Sequence, residues 1–258
     1  MKLPTVVLVV AVFVFHVPVE RPRLTIKSDP LHDPAAEKAA LRKDAGNTRA
    51  ALAADDAGAA GRLAAQAGIV ADIAMSLSDA PDNGGGAPVI AAYLPIRSEL
   101  SPLPLIEALA ADGFPTAMPV TPEPGNPLLF RASAPGAPLA DGPYNTKQPP
   151  SDAAEMIPSV ILAPMLAFDS SCWRLGYGGG FYDRTLSGLR AAGRHVVALG
   201  IAYDGQLVDK VPTGPYDMRL DGVLTPSGLR SAGCPTRGEC LCVFCFWGIL
   251  SAVPPAMP

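Results

Sequence analysis

The chain has no run of clustered lysine and arginine, and its formal net charge is −4. Proteins that grip a phosphate backbone carry such clusters, so no nucleic-acid partner is expected. Cysteine is sparse and uneven: of five in 258 residues, Cys172 stands alone and Cys234, Cys240, Cys242 and Cys245 crowd the tail. That distribution excludes a disulfide framework. The Cys240-x-Cys242-x-x-Cys245 spacing lacks histidine partners and a second knuckle, and it sits among Val243, Phe244, Phe246 and Trp247, so no metal is assigned to it. Internal repeats are absent. The one long apolar run, Leu3 to Val19, is shorter than the ~20 residues a membrane span needs. No small-x-small cleavage site follows it cleanly, because His16, Pro18 and Glu20 come next. Residues 1–34 are read as an apolar, signal-like extension, best explained by a start codon placed too far upstream.

With 49% hydrophobic residues the chain has ample material for a core. Asp33-Pro34 predicts the start of a helix running to Ala54, on which Lys38 and Arg42, four apart, share a face. A second, Ala/Gly-rich helix is predicted over 57–76, then a surface loop over 78–86. A strand is predicted over 89–94, a helix over 103–111, a strand over 116–120, and a Pro/Gly-rich loop over 121–151. Strands near Val160 and Val196 and a short one over 222–225 follow. This alternation predicts an α/β fold, a three-layer sandwich with a mostly parallel central sheet and helices on both faces.

The most informative segment is Arg174-Leu175-Gly176-Tyr177-Gly178-Gly179-Gly180-Phe181-Tyr182-Asp183-Arg184. It follows the apolar run Ser159 to Pro164, which reads as a buried strand, and precedes a helix predicted from Thr185 to Ala192. Its glycines leave backbone N–H groups free to face a ligand, a helix N-terminus adds positive potential, and Arg174 and Arg184 add charge at the borders. Such a loop can cradle phosphate, and it can equally be a tight turn that serves packing alone. There is no Gly-Lys-Ser/Thr, which excludes a Walker A loop, and Phe181 stands where a dinucleotide fingerprint requires glycine. Asp183 beside phosphate oxygens makes sense if it holds a divalent cation.

In its setting, after Ala163-Pro164-Met165-Leu166-Ala167-Phe168-Asp169, this loop resembles that of the 5-formyltetrahydrofolate cyclo-ligase family, also called methenyltetrahydrofolate synthetases. Further blocks follow in the family's order: Tyr93-Leu94-Pro95-Ile96-Arg97-Ser98-Glu99, Leu129-Phe130-Arg131, Gly142-Pro143-Tyr144-Asn145 with Gln148-Pro149, and Ala198 to Tyr203. Val211-Pro212, Tyr216-Asp217-Met218 and Asp221 to Thr225 complete them. The likeness covers roughly 37–227, which sets a domain at 35–227 and leaves 228–258 as a Cys-rich tail outside it.

The resemblance implies an enzyme that uses ATP as co-substrate and Mg2+ to cyclise 5-formyltetrahydrofolate to 5,10-methenyltetrahydrofolate, releasing ADP and phosphate. It implies ATP contacts from Lys38, Arg42, Arg174, Leu175, Gly176, Tyr177, Gly178, Gly179, Gly180, Phe181 and Tyr182, with Arg174 meeting the charge that develops on the transferred phosphoryl group. Folate contacts are implied for Leu94, Glu99, Tyr144 and Tyr182, and metal contacts for Asp183 and Asp217. Glu99 suits a pterin because one carboxylate can accept two hydrogen bonds from the amino-pyrimidinone edge. Lys147 stands where the family commonly has proline. His195 reads as structural. A cytoplasmic monomer acting on small molecules, without membrane attachment, is expected. Three other readings stay open at this point: a relative that binds folate or nucleotide without turnover, a protein tethered to a membrane by its apolar N-terminus, and an enzyme of the same fold acting on a sugar phosphate.

Overall fold

A computed structural model describes residues 34–78, 86–143 and 146–231. The expectations for 1–33, for the loop at 79–85, for Tyr144 and for the cysteines of the tail lie outside these residues. Helix α1 spans Pro34–Asp55, with proline in the first position where its missing N–H costs nothing. The single helix predicted over 57–76 is two helices, α2 (Ala59–Ala64) and α3 (Ala67–Ser76). Between them the Gln66 N–H donates to Leu63 O at 3.0 Å, a tightened turn that ends the first helix.

Strand β1 is only Ile90–Ala91, shorter than predicted. Ala92 still donates to Ala117 O, but Tyr93 then leaves the sheet and its hydroxyl donates to Leu100 O. The segment from Tyr93 to Glu99 thus becomes a loop above the strand end. Helix α4 (Leu103–Ala111) and strand β2 (Thr116–Val120) lie where predicted. The loop predicted over 121–151 contains β3 (Leu129–Ala132), which pairs antiparallel with β2, and the hairpin β4 (Ala140–Asp141) with β5 (Lys147–Gln148). Proline and glycine there delimit short edge strands rather than exclude them.

Strand β6 (Val160–Pro164) leads into a hairpin of β7 (Ala167–Phe168) and β8 (Arg174–Leu175), then α5 (Phe181–Ala191) and β9 (Val197–Ile201). Helix α5 begins at Phe181, ahead of the predicted Thr185, because Gly180 takes a left-handed conformation and turns the chain directly into the helix. A 3-10 turn (Asp204–Gln206), β10 (Gly222–Thr225) and β11 (Gly228–Ser231) complete the described chain. The sheet runs β11-β10-β9-β6-β1-β2-β3. Strands β10, β9, β6, β1 and β2 are parallel, with β11 and β3 antiparallel at the edges. Strand β11 pairs with β10 just past the expected boundary at 227.

Alternation along the central strands divides the core into two layers. Ile90, Val160, Leu162, Val197 and Leu199 pack with Leu63, Val70, Ile73 and Leu105 from α2, α3 and α4 on one face. Ala91, Ile161, Ala163 and Ala198 pack with Leu186 of α5 on the other. This is the mostly parallel three-layer α/β sandwich. Among the described residues no helix is long and apolar enough to cross a membrane.

The chain proceeds outward from β1 to β2 and later returns to the opposite side of β1 as β6. A parallel sheet splays its loops apart at such a reversal, leaving a crevice beyond the strand ends. The loops after β1 and β6 therefore border the site.

Candidate active site

The glycine loop lies between β8 and α5. Gly178 (φ +100°) and Gly180 (φ +66°) occupy conformations that side chains rarely adopt. A Cβ on Gly178 would stand 3.2 Å from Arg42 Nη2, and one on Gly179 would stand 2.9 Å from the Phe181 ring. Glycine is needed here both for the turn and for the close approach of α1. No side chain caps the N-terminus of α5, so its first N–H groups remain available to an anion.

Loop, helix start and α1 enclose a cleft of about 250 Å3, lined by Lys38, Arg42, Pro164, the whole run from Arg174 to Asp183, and Asp217. Lys38 and Arg42 are thus not a solvated stripe. Arg42 Nε donates to Gly176 O at 2.9 Å, and Lys38 is ion-paired with Asp217. Arg174 Nη2 donates to Asp183 Oδ1 at 2.7 Å and its guanidinium lies 5.6 Å from the Tyr182 ring centroid. Its Nε is buried without a hydrogen-bond partner among the described residues. Arg184 is folded back instead, donating to Gly179 O and, at 3.2 Å, to Asn126 O.

The two acids distant in sequence do converge. The Met218 N–H donates to Asp183 Oδ1 at 3.0 Å, which brings the Asp217 turn against the start of α5. Asp217 Oδ2 also accepts from the Gly214 N–H at 2.6 Å, so this acid caps its own turn as well. Among the described residues no group of three or more metal-ligating side chains occurs. Two carboxylates, each with a second oxygen that no described residue engages, are of the donor type that would hold a magnesium ion. They do not form a cage for a resident ion.

Glu99 is buried at the end of the loop after β1. Its Oε2 accepts from the Ile96 N–H at 2.9 Å, and its Oε1 lies 3.6 Å from Nη1 of Arg49. Burial pushes the Glu99 carboxyl above the ordinary carboxylate range, against the opposing pull of the Ile96 N–H, Arg49 and Arg97. Burial also raises the Tyr182 hydroxyl, and the charge of Glu99 adds to that rise; Tyr182 itself lines the cleft. Leu94 lies apart from the cleft. It lines a separate cavity of about 160 Å3 with Leu103, Ile106, Met118, Ser133 and Leu139.

Arg49 escaped the sequence reading. It is 2% exposed, and its head reaches both site loops. Its signal was present: Lys38, Arg42 and Arg49 recur at helical spacing on α1, so a stripe read from two cations continues to a third. Of the other expected residues, all those lining the glycine loop meet in one cleft with Lys38, Arg42 and Asp217.

The 5-formyltetrahydrofolate cyclo-ligase family matches residues 34–226. The 5-formyltetrahydrofolate cyclo-ligase of Escherichia coli (strain K12) is 37% identical over 146 residues, 55% of this chain and 79% of that protein. That of Mycolicibacterium smegmatis is 34% identical over 145 residues, 53% and 73% respectively. Among solved structures, the 5,10-methenyltetrahydrofolate synthetase of Aquifex aeolicus superposes with a TM-score of 0.56 at 24% identity, covering 79% of this chain and 97% of that one. At that identity the superposition speaks for the fold. The family match begins at α1 and runs past the Asp217 turn, so it takes in every element that borders the cleft, and the chain belongs to the 5-formyltetrahydrofolate cyclo-ligase family.

Proposed function

We propose that this chain converts 5-formyltetrahydrofolate, ATP and Mg2+ to 5,10-methenyltetrahydrofolate, ADP and phosphate. The observation that carries the reading is the meeting of a cationic cleft with a buried carboxylate across Arg49, which lies 3.6 Å from Glu99 Oε1 and donates to the hydroxyl of Tyr177 in the cleft wall. The N–H groups of the glycine loop and of the first turn of α5, with Lys38, Arg42 and Arg174, would hold the triphosphate. Glu99 would accept the hydrogen bonds of the pterin edge, and the cavity lined by Leu94 of the same loop would offer apolar surface to the folate. A magnesium ion held by Asp183 and Asp217 would supply neutralisation of phosphate charge.

The chemistry then needs positioning more than proton transfer. The formyl oxygen attacks the γ-phosphorus, and the bond to the β–γ bridging oxygen breaks to release ADP. N10 closes on the activated formyl carbon, the carbon–oxygen bond breaks, and phosphate leaves with that oxygen while the N10 proton is lost to phosphate or water. Arg174, which lines the cleft, would meet the spreading phosphoryl charge. No general base is required. The site of action expected for such substrates is the cytoplasm.

The test is an absorbance assay on the purified full-length chain. A new near-ultraviolet band from the methenyl product, dependent on both ATP and Mg2+, is expected. Binding of both ligands with no band would make the chain a non-catalytic binding relative, and no binding of 5-formyltetrahydrofolate would overturn the reading.

A further inference from the structure

Arg49 makes an unusual set of contacts for a buried arginine. Its Nε donates to Ser98 Oγ at 3.2 Å, its Nη1 donates to Met165 O at 3.0 Å and faces Glu99 Oε1 at 3.6 Å, and its Nη2 donates to the Tyr177 hydroxyl. The guanidinium also lies 5.5 Å from the Tyr177 ring centroid. Ser98 and Glu99 belong to the loop after β1, Met165 to the turn after β6, and Tyr177 to the glycine loop. One side chain from α1 thus binds three separate segments at the crevice where the sheet reverses.

Stability alone is a poor reason for such a residue. A buried ion pair usually recovers no more than its own desolvation, and an apolar side chain of similar size serves a core as well or better. What an arginine supplies that an apolar residue cannot is fixed geometry. Its planar fork holds several acceptors at set distances and angles.

We propose that Arg49 is a positioning residue that sets the Glu99 carboxylate and, through Tyr177, the glycine loop in one frame, so that the two substrates meet in register. This rests on the reading that Glu99 holds the pterin and the glycine loop holds the triphosphate. Arg49 touches neither reacting group. Its charge also opposes the rise that burial imposes on the Glu99 carboxyl. The other groups facing Glu99 are Arg97 on its own loop, Tyr93 after β1 and Tyr182 on α5.

Binding of 5-formyltetrahydrofolate is measured by calorimetry across pH in the full chain and in Arg49→Met and Arg49→Lys. A non-hydrolysable ATP analogue is titrated into Arg49→Lys, Tyr177→Phe and the double variant. In Arg49→Met, folate affinity falls about tenfold at neutral pH, the scale of one charge-assisted hydrogen bond, and the acid-side midpoint of folate binding moves to higher pH. Arg49→Lys restores the midpoint without the full affinity, since an ammonium cannot span the three segments. Losses of nucleotide affinity in Arg49→Lys and Tyr177→Phe are less than additive in the double variant.

A folded Arg49→Met with an unmoved midpoint, or with lysine no better than methionine, overturns the inference. If Arg49→Met does not fold, additive nucleotide losses in the lysine and phenylalanine variants overturn it. Wild-type protein that fails to bind 5-formyltetrahydrofolate overturns the functional reading instead, while a wild type that binds alongside indifferent variants removes Arg49 alone.

Discussion

At the scale of the residue, the site is a set of charges whose partners decide what each can do. On the proposed reading Glu99 would serve a pterin only when ionised, yet burial raises its carboxyl. Folate affinity is therefore expected to fall on acidification from a pH above the ordinary carboxylate range, because protonation removes an acceptor. Glu99→Gln would turn one acceptor into a donor, which on the proposed reading would face the pterin's donors. Calorimetry should show folate weakened by about 1–3 kcal/mol, with the ATP analogue nearly unaffected. Equal loss of both ligands would make Glu99 a structural residue.

Asp217 has two jobs in the structure, pairing with Lys38 and capping the Gly214 N–H. Asp217→Asn should raise the Mg2+ concentration for half-maximal turnover, as should Asp183→Asn, with the double variant losing less than the sum. A lowered melting temperature with unchanged Mg2+ dependence would leave only the cap. The expectation that Asp183 and Asp217 stand together came from the family resemblance, since nothing local in either segment points to the other. Arg49 continues a cationic stripe that the sequence shows, but its contacts come from three segments that only the fold brings to it.

At the scale of the element, the glycine loop and α5 form one device. Gly178→Ala would place a methyl group against Arg42 in a conformation that costs an L-residue about 1 kcal/mol or more. The variant should raise the KM for ATP several-fold and leave that for folate nearly unchanged. Gly188→Ala, inside α5 with nothing within 4 Å of the new methyl, is the matched control. It should stabilise the protein by about 0.5–1 kcal/mol and leave both constants alone. If both variants behave alike, loop conformation does not govern the nucleotide site.

Elements with strong local signals were legible, among them α1 from Asp33-Pro34, α4 from its apolar spacing and β6 from its buried run. Two-residue strands such as β4, β5, β7 and β8 carry too few side chains for any period to register. Strand β1 shows the converse. Its apolar run continues through Leu94, but Tyr93 spends its hydroxyl on Leu100 O and Pro95 has no donor for a ladder, so the tail of the run builds the Glu99 loop.

At the scale of the whole molecule, the far edge of the sheet has its own lock. The Asp204 carboxylate accepts from Thr225 Oγ1 at 2.8 Å, Ser227 Oγ at 2.9 Å and Arg230 Nη2 at 3.2 Å, tying the 3-10 turn to β10 and β11. Burial raises its carboxyl, but these three donors together lower it further, so the net shift is downward. A depressed carboxylate stabilises the fold above its unfolded value and loses that contribution as pH falls through the folded one. Asp204→Asn should accordingly lower the melting temperature at neutral pH, with the two curves converging in strong acid. A constant gap at all pH values would show that packing, not ionisation, is at stake.

The cleft's cations are already engaged before any ligand arrives, Arg174 by Asp183 and Lys38 by Asp217. On the proposed reading a bare nucleotide would have to pull both away and leave two carboxylates facing its own phosphates. One arriving with a divalent ion would hand those carboxylates a replacement as it took their old partners. The site would then be a conjunction gate, answering to nucleotide and metal together rather than to either alone.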